Sequence, residues 1–261
     1  MSFRDYRSLM PRRSSLQVIF WWIVVRWLVF FAFRLLYRLR SLNRSRIPRT
    51  GAVIFVSNHQ SHLDPLLMGV HCGPFAPLAR TTLFEIPLWG RALWSLGGIP
   101  LDRDKGDIGA MRKAIDVLKT GGRVLIFPEG TRSRDGSIGE FKPGMLVLVR
   151  RAKATVVPVA IEGAHDAWPA GYGRPKLKGR IAISTGEPIT AEALLADGRE
   201  AGLDMLRRRI EVLRLELRAQ MQARSRGRYP APGPADEPFW ESAASATQPQ
   251  ASPSTPRSSP G

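Results

Sequence analysis

One cysteine in 261 residues, Cys72, excludes an internal disulfide and fits a reducing compartment. With no base arranged around it, Cys72 reads as a small buried residue. No Gly-x-Ser-x-Gly elbow occurs anywhere, so no covalent nucleophile is apparent. The absence of a Walker-type loop argues against nucleotide hydrolysis. Acidic residues are scarce, 22 against 39 Lys and Arg, and the net charge of +17 must face something anionic. Nucleic acid and anionic lipid both qualify on charge alone.

The distribution of charge separates the two. Residues 1 to 50 hold 11 Arg, no Lys and one acidic residue, Asp5. These arginines flank an apolar run, Leu16 to Phe33, in which only Gln17 and Arg26 among 18 residues are not apolar. A nucleic-acid arm would not need that run, and no groove-reading motif is present. The length is at the lower edge for a bilayer-spanning helix. Arg34 to Arg38 follow in place of a small-residue cleavage site, which disfavours a secretory signal. Basic clusters on both sides would force a spanning helix to export one of them, against the positive-inside rule, so interfacial attachment is favoured over a span. On a helix, Arg26, Arg34 and Arg38 fall within about 120° of one another, beside an apolar face containing Trp21, Trp22, Trp27, Phe30 and Phe31. That stripe suits anionic headgroups.

Downstream, Ala52 to Ser57 reads as a buried strand, followed by a polar turn and a helix from Pro65. The unit returns in a helix over Met111 to Lys119, a stop at Gly121-Gly122 and a strand over Val124 to Phe127. Val156 to Ile161 and Arg180 to Ser184 are further strands. The alternation predicts an α/β domain with a central, mostly parallel or mixed sheet flanked by helices, its site in loops beyond strand ends. Gly202 to Met221 is an amphipathic helix with Leu203, Leu206, Ile210, Leu213 and Leu217 at steps of three and four, and arginines 207, 208, 209, 214 and 218 on most other faces. Pro, Ser, Ala and Gly dominate from Ser225, which reads as a disordered tail. The resulting division is a membrane-attachment segment at 1–45, a catalytic domain at 46–222 and a tail at 223–261.

Two blocks carry chemistry. Asn58 to Asp64 (N-H-Q-S-H-L-D) follows a strand, with His59 and Asp64 five apart. On a continuous helix they would stand about 140° apart, so they meet only if the chain bends between them. A carboxylate on one imidazole nitrogen frees the other to take a proton. The alternative is that Ser61 and Asp64 simply cap the helix that Pro65 opens. Metal binding by His59, His62, Asp64 and His71 matches no common zinc spacing. The second block, Phe127 to Ser133 (F-P-E-G-T-R-S), leads to Phe141-Lys142-Pro143-Gly144. Gly130 permits close backbone approach, and Arg132 offers a fork for phosphate. Arg103 is a second candidate phosphate ligand. Each arginine could equally be a surface ion pair with a neighbour such as Asp102 or Glu129.

Together with Gly98 to Arg103 and Val157-Pro158-Val159-Ala160-Ile161, these blocks stand in an order and spacing that resembles the glycerolipid acyltransferase family, which includes the 1-acyl-glycerol-3-phosphate acyltransferases. The likeness covers Pro48 to Ile189. It implies a His59-Asp64 dyad that deprotonates an acceptor hydroxyl, which attacks the thioester of acyl-CoA or acyl-carrier protein without an acyl-enzyme. It further implies that Glu129, Gly130, Thr131, Arg132 and Arg103 hold the acceptor phosphate and that the Val157 block lines the donor's path. The acceptor would be lysophosphatidic acid or another lysolipid such as a lyso-ornithine lipid. No metal or bound cofactor is implied, and the place would be the cytoplasmic face of a membrane. Arg80-Thr81-Thr82-Leu83 departs from the more Lys- and Glu-rich run of relatives. A catalytically idle lipid-binding protein is the alternative of a different class.

Overall fold

The computed structural model describes residues 15–87, 90, 93–94, 98–102 and 108–241, with the backbone alone at 15–22. Seven strands form one sheet: β1 (Arg40–Leu42), β2 (Val53–Ser57), β3 (Ala76–Arg80), β4 (Ile99–Leu101), β5 (Arg123–Ile126), β6 (Thr155–Glu162) and β7 (Ala182–Thr185). Their spatial order is β1-β7-β6-β2-β5-β3-β4, and every pairing is parallel except β6 with β7. The sheet is therefore mixed, and helices flank it, as the alternating pattern predicts. β2 is its centre. All five of its residues, V-I-F-V-S, are buried, as expected of a strand covered on both faces and paired on both edges.

The register brings the two sequence blocks together. Val53 pairs with both Arg123 and Thr155, so β2, β5 and β6 run side by side in one direction. The loops after them leave the sheet at a common carboxyl edge, where sites of open α/β sheets form. Helix α1 (Ser15–Tyr37) precedes the sheet, α2 (Asp64–Cys72) follows β2, α3 (Thr81–Glu85) follows β3 and α4 (Ile108–Lys119) precedes β5. Then come α5 (Gly144–Ala152), α6 (Ala164–Ala167), α7 (Ala191–Leu195) and the long α8 (Arg199–Ser225). Gly121, at φ +76, closes α4 at the expected stop.

Two hydrophobic clusters sandwich the sheet. One joins Ile54, Val124 and Val156 to Leu118, Leu148, Leu206 and Ile210, and the other joins Phe55, Val157 and Ile161 to Leu67, Met68, Phe33 and Tyr37. The end of α1 thus belongs to the core. Its other side does not: Trp27, Leu28, Phe31 and Leu35 are exposed, Leu35 at 82%. Among the fully described residues no helix is long and apolar enough to cross a membrane. The expected basic stripe is split, because Arg26 turns inward and donates to the Val70 carbonyl near the end of α2, while Arg34 and Arg38 stay exposed.

The segment after α8 departs from the sequence reading. Residues 226–241 lie along α8, with Ala235 buried and a 3-10 turn at Pro234–Asp236. Arg214 and Arg218, expected on polar faces, are buried. Arg214 forks onto Glu211 at 2.7 and 2.9 Å and reaches Glu162 at 2.9 Å. Arg218 bridges Glu162 and Asp236. Carboxylates on β6 and in the C-terminal segment, not composition, decide that this stretch is ordered. Residues 242–261 lie outside the described set.

Candidate active site

The main chain turns sharply after β2, and the turn closes the dyad. Nδ1 of His59 bonds Asp64 Oδ2 at 2.7 Å, with the His59 side chain 15% exposed and that of Asp64 fully buried. The same Oδ2 accepts the backbone N–H groups of Gln60 and Ser61, each at 2.7 Å. Asp64 therefore builds the bend and orients the ring with one oxygen. Capping and the dyad coexist: Ser61 Oγ accepts the Leu63 N–H at 3.2 Å and donates to the Trp168 carbonyl, while Asp64 Oδ2 holds the Ser61 N–H as well as the His59 ring. Pro65 stands in the first turn, where its missing N–H costs nothing.

Neighbouring strands fix the turn from outside. Asn58 exchanges two hydrogen bonds with the backbone of Ile161, both at 2.9 Å, which ties the end of β2 to the end of β6. The His59 ring stacks on Phe127 at 4.1 Å, with 17° between planes. The Ser133 N–H donates to the His59 carbonyl at 2.7 Å, and Glu129 Oε1 accepts the His59 N–H at 2.7 Å. With Nδ1 held by Asp64, the tautomer leaves Nε2 as the acceptor nitrogen, and no group among the described residues bonds it.

Glu129 is buried. Its second oxygen accepts the Gly139 N–H at 2.9 Å. Burial, partly offset by these two backbone bonds, pushes its carboxyl up to about 7. The side chain that the resemblance places on the acceptor phosphate thus faces the loop backbone. Gly130, at φ +73, turns the chain beneath Lys142, whose Cε and Nζ lie 3.1 Å from where a Cβ would stand. Thr131 is exposed and Arg132 half-buried, its Nη1 against the His62 ring. Burial and the Arg132 charge hold the His62 pKa below its ordinary value. Arg132 and Lys142 therefore place two cations on the 130–132 turn. Lys142 was part of the recognised block, and its F-K-P-G setting was the signal for this position. Arg103 lies outside the described residues.

The remaining sequence candidates are occupied elsewhere. His71, buried on α2, bonds Ser41 Oγ at 2.6 Å and Thr185 Oγ1 at 2.7 Å, one through each nitrogen, so it takes no part with His59 and His62. Burial pushes the Cys72 thiol up, consistent with an inert residue. Val157 to Ile161 are all buried in the sheet centre.

Comparison with known proteins agrees with this architecture. A family model described as Acyltransferase matches residues 38–162. The chloroplastic 1-acyl-sn-glycerol-3-phosphate acyltransferase LPAT1 of Arabidopsis thaliana is 33% identical over 138 residues, 52% of this chain and 39% of that protein. The chain thus spans about two fifths of that relative's length. A 1-acyl-sn-glycerol-3-phosphate acyltransferase of Pseudomonas aeruginosa is 31% identical over 189 residues, 70% of this chain and 72% of that protein. The crystal structure of the 1-acyl-sn-glycerophosphate acyltransferase PlsC from Thermotoga maritima superposes with a TM-score of 0.66 at 27% identity, covering 80% of this chain and 86% of the other. With the dyad, the F-P-E-G-T-R-S turn and the sheet order all in place, the chain belongs to the glycerolipid acyltransferase family.

Proposed function

We propose that this protein transfers a fatty acyl group from acyl-CoA or acyl-carrier protein to the sn-2 hydroxyl of 1-acyl-glycerol-3-phosphate, giving phosphatidic acid. The observation that carries this reading is the 2.7 Å bond between His59 Nδ1 and a fully buried Asp64, which leaves Nε2 for a proton at the edge where the 127–133 turn emerges. His59 Nε2 takes the proton of the acceptor hydroxyl as its oxygen attacks the thioester carbonyl. The tetrahedral intermediate collapses with cleavage of the C–S bond, and the thiolate recovers the proton from His59. Ester and free thiol leave, and no covalent enzyme intermediate forms.

A positioned base contributes about 10²- to 10⁴-fold. The rest comes from holding two lipids in register, for which effective molarities of about 10⁵ to 10⁸ M are known. Arg132 and Lys142, with the 130–131 backbone and Arg103, would anchor the acceptor phosphate and set that register. Glu129 supports the reading indirectly, by fixing the His59 backbone. The exposed Trp27, Leu28, Phe31 and Leu35, with Arg34 and Arg38 nearby, suit attachment to the cytoplasmic face of an anionic membrane.

The test is thiol release in detergent micelles from acyl-CoA and from acyl-carrier protein, with lysophosphatidic acid, with a lyso-ornithine lipid, and without acceptor. Release that requires lysophosphatidic acid is expected. Release only with the other lysolipid would keep the mechanism and replace the substrate. No release with any pair would overturn the reading.

A further inference from the structure

We infer that Arg207 is a positioning residue for His59, acting from α8 through a single peptide group and the Glu129 carboxylate. Arg207 Nη2 donates to the Ile138 carbonyl at 2.9 Å. The N–H of the same peptide unit, on Gly139, donates to Glu129 Oε2 at 2.9 Å. The other oxygen, Oε1, accepts the His59 N–H at 2.7 Å. The peptide group between residues 138 and 139 therefore has a cation on its oxygen and a carboxylate on its N–H. The Arg207 bond polarises the peptide so that its N–H donates more strongly to Oε2, and the carboxylate so fixed stands where Oε1 meets the His59 N–H; the last link is positional. The relay reaches the catalytic histidine by its main chain, while Asp64 holds its ring.

Two further observations favour a built arrangement over an incidental contact. A Cβ on Gly139 would lie 2.9 Å from Glu129 Oε2, so a side chain there would push the carboxylate out of its place against the loop. The Arg207 guanidinium is half-buried and covered by the Phe239 ring, 3.6 Å from Cζ to the ring centroid. Phe239 belongs to the segment that α8 holds down through Arg214 and Arg218. Neither Arg207 nor Phe239 lies within residues 38–162, the span of the family model. The second half of the chain thus supplies a support for the first half's active-site loop.

The kinetic part of this inference rests on the acyl-transfer reading, so the test has an arm that does not. In the full-length protein in micelles, hydrogen exchange is followed at His59 and Gly139, with the 155–161 amides of β6 as an internal reference. Arg207→Ala is expected to speed exchange at His59 and Gly139 by about tenfold, the effect of losing one ordinary hydrogen bond, with the reference amides unchanged. Arg207→Gln, which keeps a donor without the charge, should fall between it and the wild type. The kcat of thiol release should drop about tenfold in Arg207→Ala while KM for the lysolipid moves less than about twofold, as for a base shifted out of register. Because Arg207 acts through Glu129, adding Arg207→Ala to Glu129→Gln should cost less than about twofold more.

Unchanged exchange at His59, or loss spread equally over the β6 amides, would overturn the inference, as would additive effects in the double variant. If the wild type releases no thiol with any acceptor, the acyl-transfer reading fails and the exchange arm still decides the relay.

Discussion

Glu129 accepts the main-chain N–H of His59 at 2.7 Å, across 70 residues of sequence, so the F-P-E-G-T-R-S block grips the N-H-Q-S-H-L-D block by the backbone of its histidine. Asp64 sets the ring and Glu129 sets the chain that carries it. Glu129→Gln keeps an acceptor for one N–H and presents an amide NH₂ to the other. We expect kcat to fall by between about tenfold and a hundredfold with a smaller change in KM, measured by steady-state thiol release. Gly139→Ala, which would push a methyl to 2.9 Å from Oε2, should act in the same direction.

Titration of the same carboxylate should be visible in stability. Burial raises the folded Glu129 carboxyl to about 7, above its ordinary 4.5, so the folded chain binds more protons between those values. Its contribution to stability is full below 4.5 and is lost as pH rises through about 7. His71 works oppositely. Burial lowers its pKa to about 3, so its contribution is present above 6.5 and is lost as pH falls toward 3. Urea unfolding from pH 4 to 8 should show the first slope removed in Glu129→Gln and the second removed in His71→Gln.

How far the sequence reaches differs by element. β2, α4, β5 and β6 were legible because each is a contiguous apolar run or a 3.6-residue pattern, and the His59 and Glu129 blocks were legible as short strings after strands. What joins the blocks was not, since Glu129 to His59, Asn58 to Ile161 and Arg207 to Ile138 are contacts between distant residues. Arg214 and Arg218 looked like a solvated face because a helix pattern does not reveal that Glu162 waits on β6. The stretch after Ser225 has the composition of a tail, and Asp236, Ala235 and Phe239 nonetheless find partners on α8.

That buried network yields a stability prediction. Arg214 is fully buried and compensates Glu211 and Glu162 together. Arg214→Ala should cost about 3–5 kcal/mol, because removing one partner leaves uncompensated buried charge. Arg208→Ala, whose partner Asp204 is as exposed as itself, should cost under about 1 kcal/mol. Urea titration of both variants at pH 7 checks the contrast.

The exposed face of α1 should be measurable as membrane affinity. Replacing Leu28, Phe31 and Leu35 together with Ser is expected to release the protein from anionic vesicles in a flotation assay and to leave the fold intact, because none of the three is in the core. Phe33→Ser on the buried face should instead destabilise the domain.

The most direct test of the central claim is single-turnover thiol release from acyl-CoA, or from acyl-carrier protein if that is the productive donor, with saturating lysophosphatidic acid. Wild type, His59→Ala and Asp64→Asn are compared at equal folded concentration. If His59 Nε2 is the base and Asp64 its orienter, His59→Ala should lose at least about a hundredfold in rate and Asp64→Asn a comparable factor, with lysolipid binding retained in both. Wild-type rates in His59→Ala would contradict the account.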